Sequence, residues 1–193
     1  MIKVTDYEVP EKISPEEARA ESAPTAGILV LGLGNELLKD DAVGIRVAEK
    51  LRGSLPGEVE VRSTSLFGLS LLDELVGREK VLLIDSYLPE DFAGADFREL
   101  TLDSLGNAQA SCPHFVGLVE IREVMRSLDL SFPGEVRILA IPVSDPLTFS
   151  TEMSAEVAAS VDEAAERARR IVQTWLAVVE DHADVHPVSD VPA

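Results

Sequence analysis

Apolar and polar positions follow two periods along this chain, and the switches between them lay out the elements. GILVLGL (27–33), KVLLIDS (80–86) and EVRILAIPV (135–143) are near-continuous apolar runs of strand length, as expected of strands covered on both faces. EVEVRST (58–64) alternates and predicts another strand, and ADFRELTL (95–102) reads as a fifth. Helical spacing lies between them. Val43, Val47 and Leu51 recur every four residues, with Arg46, Glu49, Lys50 and Arg52 on the other faces. FGLSLLDELVG (67–77) predicts a short amphipathic helix closed by Gly77. CPHFVGLVEIREVMRSLDL predicts a helix from about Pro113, with Ser111 or Cys112 as its cap. The last helix is the clearest: Met153, Val157, Val161, Ala164, Ala168, Ile171, Trp175 and Val179 step by three or four. Glu163 with Arg167 and Glu166 with Arg170 supply i,i+4 pairs on its wet face.

Strands alternating with helices, the strands buried, predict an α/β fold: a three-layer α/β/α sandwich with a mostly parallel, twisted central sheet. The domain is expected to span 27–181. Residues 1–26, rich in Glu, Pro, Ala and Ser, read as an N-terminal arm or tail, with a short helix beginning at Ser14 and Pro15 at its first position. Residues 182–193, with His182 and His186, read as a frayed, exposed C-terminal tail. A chain of 193 residues is long enough to bury a sizeable core.

Charge and cysteine usage narrow the function. Seventeen basic against thirty-five acidic side chains give a formal charge of −18, which repels nucleic acid and anionic membranes and leaves room for a cationic or metal-bearing partner. No stretch approaches the roughly 18 uninterrupted apolar residues of a membrane span. The first residues carry more acid than base and no apolar core, unlike a secretory signal. The single cysteine, Cys112, excludes an intramolecular disulfide framework and a four-thiolate metal site. A soluble, cytoplasmic protein is the expectation.

In parallel α/β sheets ligands gather at the carboxyl ends of strands, so the residues there carry the chemistry. Gly32 and Gly34 leave the first strand and, lacking a Cβ, allow a sharp turn or a close approach; with Asn35 they are candidates for letting a substrate backbone lie near. A dinucleotide fingerprint would need a third glycine where Leu37 stands, and Asp40 and Asp41 occupy the helix opening where phosphate would bind. Asp40 is expected to cap that helix, leaving the Asp41 side chain free at the sheet edge. Asp85 follows a buried apolar run, where a carboxylate must be paired, hydrogen-bonded or metal-bound. His114 is expected at the opening turn of the next helix. Asp41, Asp85 and His114 come from three strand–helix connections. Two oxygen donors and an imidazole suit a borderline divalent ion such as nickel, zinc or manganese without selecting one. Asp145 is a reserve acid. Ser86 or Ser144 paired with His114 would offer a serine route, but without a G-x-S-x-G elbow, and Cys112 fits a capping or small apolar role better than a nucleophile.

The chain here resembles the hydrogenase maturation endopeptidases, which trim the C-terminus of nickel-iron hydrogenase large subunits. The resemblance rests on ILVLGLGNELLKDDAVGIR, on LLIDS, on SCPHFVGL and on IPVSDPL with the helix after it, covering roughly residues 27 to 180. Carried over position by position, it implies that Asp41, Asp85 and His114 contact metal and serve in catalysis. It also implies a cytoplasmic endopeptidase acting once on a nickel-loaded large-subunit precursor. The ion would be nickel belonging to the substrate, a place other divalent metals could take. Departures are Ala42 where the family often has glycine, TFSTEMSAEV without the usual glycine, and the arm before Gly27. Two other functions compete: a non-proteolytic metal-sensing or docking protein in hydrogenase maturation, and a nucleotide-binding regulator. Which hydrogenase is served, how the water is activated and the oligomeric state lie beyond the sequence.

Overall fold

The computed structural model describes residues 27–105 and 117–183, and the side chains of those up to 177. Five strands form one sheet: β1 (Ile28–Leu33), β2 (Val59–Thr64), β3 (Lys80–Tyr87), β4 (Arg98–Thr101) and β5 (Glu135–Pro142). Their order is β2-β1-β3-β5-β4. The first four neighbours run parallel, and β4 joins β5 antiparallel at the edge. The chain therefore steps outward from β1 to β2, then crosses back over β1 to lay down β3. That reversal puts a switch point between the carboxyl ends of β1 and β3.

The period-two pleat divides the central strands between two cores. Ile28, Val30, Leu82, Ile84, Leu139 and Ile141 face one side, covered by α1 (Val43–Leu51) and the long α4 (Ala155–Ala183). Leu29, Leu31, Leu83 and Ile138 face the other, covered by α2 (Leu72–Leu75) and α3 (Leu118–Ser127). Both faces being dry explains the unbroken apolar runs, and the three expected layers are present. A 3-10 turn (Gly68–Leu71) precedes α2, and Gly77 turns the chain after it with φ 73°.

Two expectations need correction. A helix running unbroken from Pro113 is ruled out: α3 begins at Leu118, because Gly117 holds a left-handed φ of 89° that no helix passes through, and Pro113 itself lies outside the described residues. Strand β4 is confined to four residues, since only Arg98–Thr101 register with β5. The segment 1–26, the connection 106–116 with Cys112 and His114, and the residues after Ala183 with His186 lie outside the described residues. No described helix is long and apolar enough to cross a membrane.

Candidate active site

Pairing between β1 and β3 ends at Gly32 opposite Ile84, whereas pairing between β3 and β5 continues to Tyr87 opposite Pro142. Strand β3 thus overshoots β1 by three residues, and the chain leaving β1 is free to fold a polar turn against its exposed flank. That turn is a 3-10 segment, Lys39–Ala42, which runs directly into α1. It carries Asp40 and Asp41; the overshoot carries Asp85 and Ser86. All four are buried, with Asp40 and Asp85 at 0% and Asp41 at 7% relative exposure.

Ser86 ties the two outer acids together. Its hydroxyl donates to Asp41 Oδ1 at 3.0 Å, and its backbone N–H donates to Asp85 Oδ1 at 2.8 Å. Two carboxylates distant in sequence thereby converge on one residue at the switch point. Asp41 is not free at the sheet edge, as its position had suggested; it is buried and tethered. Sequence reasoning treated Ser86 only as a turn or nucleophile.

Asp40 also departs from expectation. It makes no capping bond to its own helix. Its carboxylate accepts from the Ser154 N–H at 2.7 Å, the Ser154 hydroxyl at 3.1 Å, the Asp145 N–H at 3.2 Å and the Ser144 hydroxyl at 3.4 Å. Ser154 immediately precedes α4 and its carbonyl accepts from Ala158, so Asp40 fastens the start of the C-terminal helix. Of the two adjacent aspartates, the first clamps the loop after β5 and the start of α4, and the second is held by the Ser86 hydroxyl at the end of β3.

The loop after β5 is stitched to the same turn. Lys39 N–H donates to Thr148 carbonyl at 3.1 Å, Ser150 N–H to Leu37 carbonyl at 3.1 Å, and Leu38 bridges Phe149 antiparallel. Lys39 Nζ meets Asp145 Oδ2 at 3.0 Å. Hydrogen bonds from Lys39 and then Thr148 pull the Asp145 carboxyl down from 3.8 to about 2, and the bond to Asp145 raises Lys39 above its ordinary 10.5. Asp145 is thus tied into the loop by Lys39 and Thr148. Ser144 spends its hydroxyl on Asp40, and Ser86 lies buried beside Asp41.

The glycines serve the chain itself. A Cβ on Gly32 would stand 2.2 Å from Gly44 carbonyl oxygen, and one on Gly44 2.3 Å from the Leu33 and Ile84 oxygens. Helix α1 therefore rides on the strands backbone to backbone. A Cβ on Gly34 would lie 2.0 Å from Asp41 oxygen. The space beside Gly32 and Gly34 is filled by α1 and by the Asp41 turn, rather than left for a substrate backbone. Asn35 Oδ1 accepts from the Leu37 N–H at 3.0 Å and shapes the turn.

Among the described residues no three His, Cys, Asp or Glu side chains are grouped to hold a metal. His114 is outside them, but Gly117, three residues later, sits against Gly68 with its would-be Cβ 3.5 Å from that Cα. Gly68 opens the turn after β2, so the chain re-enters the described structure at the carboxyl edge.

Comparison with known proteins completes the description. No protein-family model matches the sequence. A hydrogenase 2 maturation protease of Escherichia coli (strain K12) is 30% identical over 119 residues, 59% of this chain and 71% of that protein. The solved hydrogenase maturating endopeptidase HybD from E. coli superposes with a TM-score of 0.64 at 25% identity, covering 76% of this chain and 92% of the other. The [NiFe] hydrogenase maturation protease HybD from Thermococcus kodakarensis shares the fold, with a TM-score of 0.60 at 24% identity over 75% of this chain and 97% of its own.

Proposed function

The chain belongs to the hydrogenase maturation protease family and is a peptidase, and on that premise we propose that it removes the C-terminal extension of a nickel-loaded hydrogenase large-subunit precursor. The precursor's nickel is substrate, not a resident cofactor, and is recognised by Asp41, Asp85 and His114. The observation that carries this reading is the convergence of Asp41 and Asp85 on Ser86 at the sheet's switch point. One residue, through its hydroxyl and its backbone N–H, holds both acids at the strand end, the place where parallel α/β sheets collect ligands. Carboxylate oxygens and an imidazole match the donor preference of a borderline divalent ion. Gripping the precursor's ion fixes the nearby peptide, converting an encounter into a positioned reaction. Hydrolysis then needs an activated water, supplied by a carboxylate acting as base or by the ion.

Incubation with a nickel-loaded large-subunit precursor, followed by intact-mass measurement, tests the proposal. A discrete loss of C-terminal mass, abolished in Asp41→Asn and in His114→Ala, is expected. An unchanged mass with stable complex formation would instead make the chain a docking protein. Cleavage that persists in nickel-free precursor would remove the metal from the recognition step.

A further inference from the structure

We propose that Leu37, Leu147 and Phe149 form a docking rim that seats an apolar patch of the precursor bordered by basic side chains; this rests on the processing function above. Large apolar side chains that stand exposed are not scattered over the described surface. All of them except Leu128 lie in loops leaving the carboxyl ends of β1, β2, β3 and β5, the edge that holds Asp41 and Asp85. Phe149 is 81% exposed, Leu147 76% and Leu37 55%. An apolar concentration of this kind on one edge marks a surface that is covered in a complex.

These three residues are presented rather than loosely hung. Their two loops are joined by the Leu38–Phe149 bridge, by the backbone bonds Lys39 to Thr148 and Ser150 to Leu37, and by the Lys39–Asp145 ion pair. The same turn carries Asp41 in its next residues, with the Asp41 N–H donating to Leu38 carbonyl at 2.9 Å. The rim is therefore part of the same turn as Asp41, so a partner seated on it is brought to the strand end that holds Asp41 and Asp85. Its surroundings select the partner's periphery. Exposed Glu152 and Glu156 flank the two loops, with Glu36 shared with Arg46 at 3.4 Å, on a chain of formal charge −18, so a basic border on the partner is attracted and an acidic one repelled. An apolar centre inside a charged border is the usual anatomy of a protein interface.

The test compares the full chain with a Leu147→Ser/Phe149→Ser double variant and with Leu128→Ser as a control of equal chemistry away from the rim. Cleavage of nickel-loaded precursor is followed by mass, with KM and kcat determined separately. The double variant is expected to raise KM by about thirtyfold, the scale of losing central apolar anchors, with kcat unchanged. Leu128→Ser leaves both constants unchanged, and added salt raises the wild-type KM. A KM within twofold of wild type in the double variant overturns the rim while leaving the processing function intact. An equal loss in Leu128→Ser overturns it too, as does a double variant that converts a wild-type dimer to monomer without weakening precursor binding, which assigns the surface to a second copy. A wild-type chain that neither binds nor cleaves the precursor removes both proposals.

Discussion

Asp40 and Asp41 are neighbours with opposite duties, and exchanging each for asparagine separates them. The Asp40 carboxylate receives four hydrogen bonds from Ser144, Asp145 and Ser154, two of them from backbone N–H groups on different oxygens. Asparagine keeps one acceptor oxygen and turns the other position into a donor. One backbone N–H, of Asp145 or Ser154, then faces an amide N–H in a fully buried place. An unsatisfied buried donor costs about 1–3 kcal/mol, and the remaining bonds lose their ionic strengthening, so Asp40→Asn is expected to cost about 3 kcal/mol. For a domain of this size that lowers the melting temperature by about 6–12 °C. Asp41→Asn keeps an acceptor for the Ser86 hydroxyl, which can rotate, so its melting temperature falls by less than that of Asp40→Asn while precursor cleavage is lost. Circular dichroism melts and the mass assay on the same preparations decide the matter. An Asp40→Asn chain that melts with wild type, or an Asp41→Asn chain that melts early and still cleaves when folded, refutes the division of labour.

Two further outcomes follow from the same turn and its supporting helix. Gly44→Ala drives a Cβ into the Leu33 and Ile84 oxygens, a backbone clash no rotamer relieves, and is expected to cost about 3 kcal/mol or more in urea unfolding. Gly53→Ala, with nothing within 4 Å and only its positive φ at stake, costs about 1 kcal/mol in the same experiment. Asp145 is held at about 2 in the folded chain, below its ordinary 3.8, so its contribution is present above pH 3.8 and disappears as pH falls through 2. Unfolding curves of Asp145→Asn should therefore lie below wild type at pH 5 and converge with it near pH 2; a constant gap across that range would contradict the linkage.

The central strands were legible because burial on both faces leaves no polar residue to interrupt an apolar run, and α1 and α4 because each keeps one stripe dry. The acids at the strand ends were legible for the complementary reason, that charge directly after such a run needs an explanation. Asp40 was misread because its partners Asp145 and Ser154 lie 105 and 114 residues away, and a carboxylate beside a helix start looks like a cap until those donors arrive. The start of α3 was misread because a glycine inside an amphipathic pattern does not announce its φ, and the left-handed Gly117 is what sets the boundary at Leu118. The roles of Gly32 and Gly34 were misplaced since the sequence says only that something comes close, not whether it is ligand or chain.

The glycine seam between α1 and the sheet has a bearing on how such a molecule can be altered. Where Gly32 and Gly44 meet, the approach of helix to strand is limited by main-chain contact, so a side chain added at either glycine would push α1, and the Asp41 turn that leads into it, away from the sheet. The loops around that seam carry no such restriction and can change in length and sequence while the helix keeps its seat.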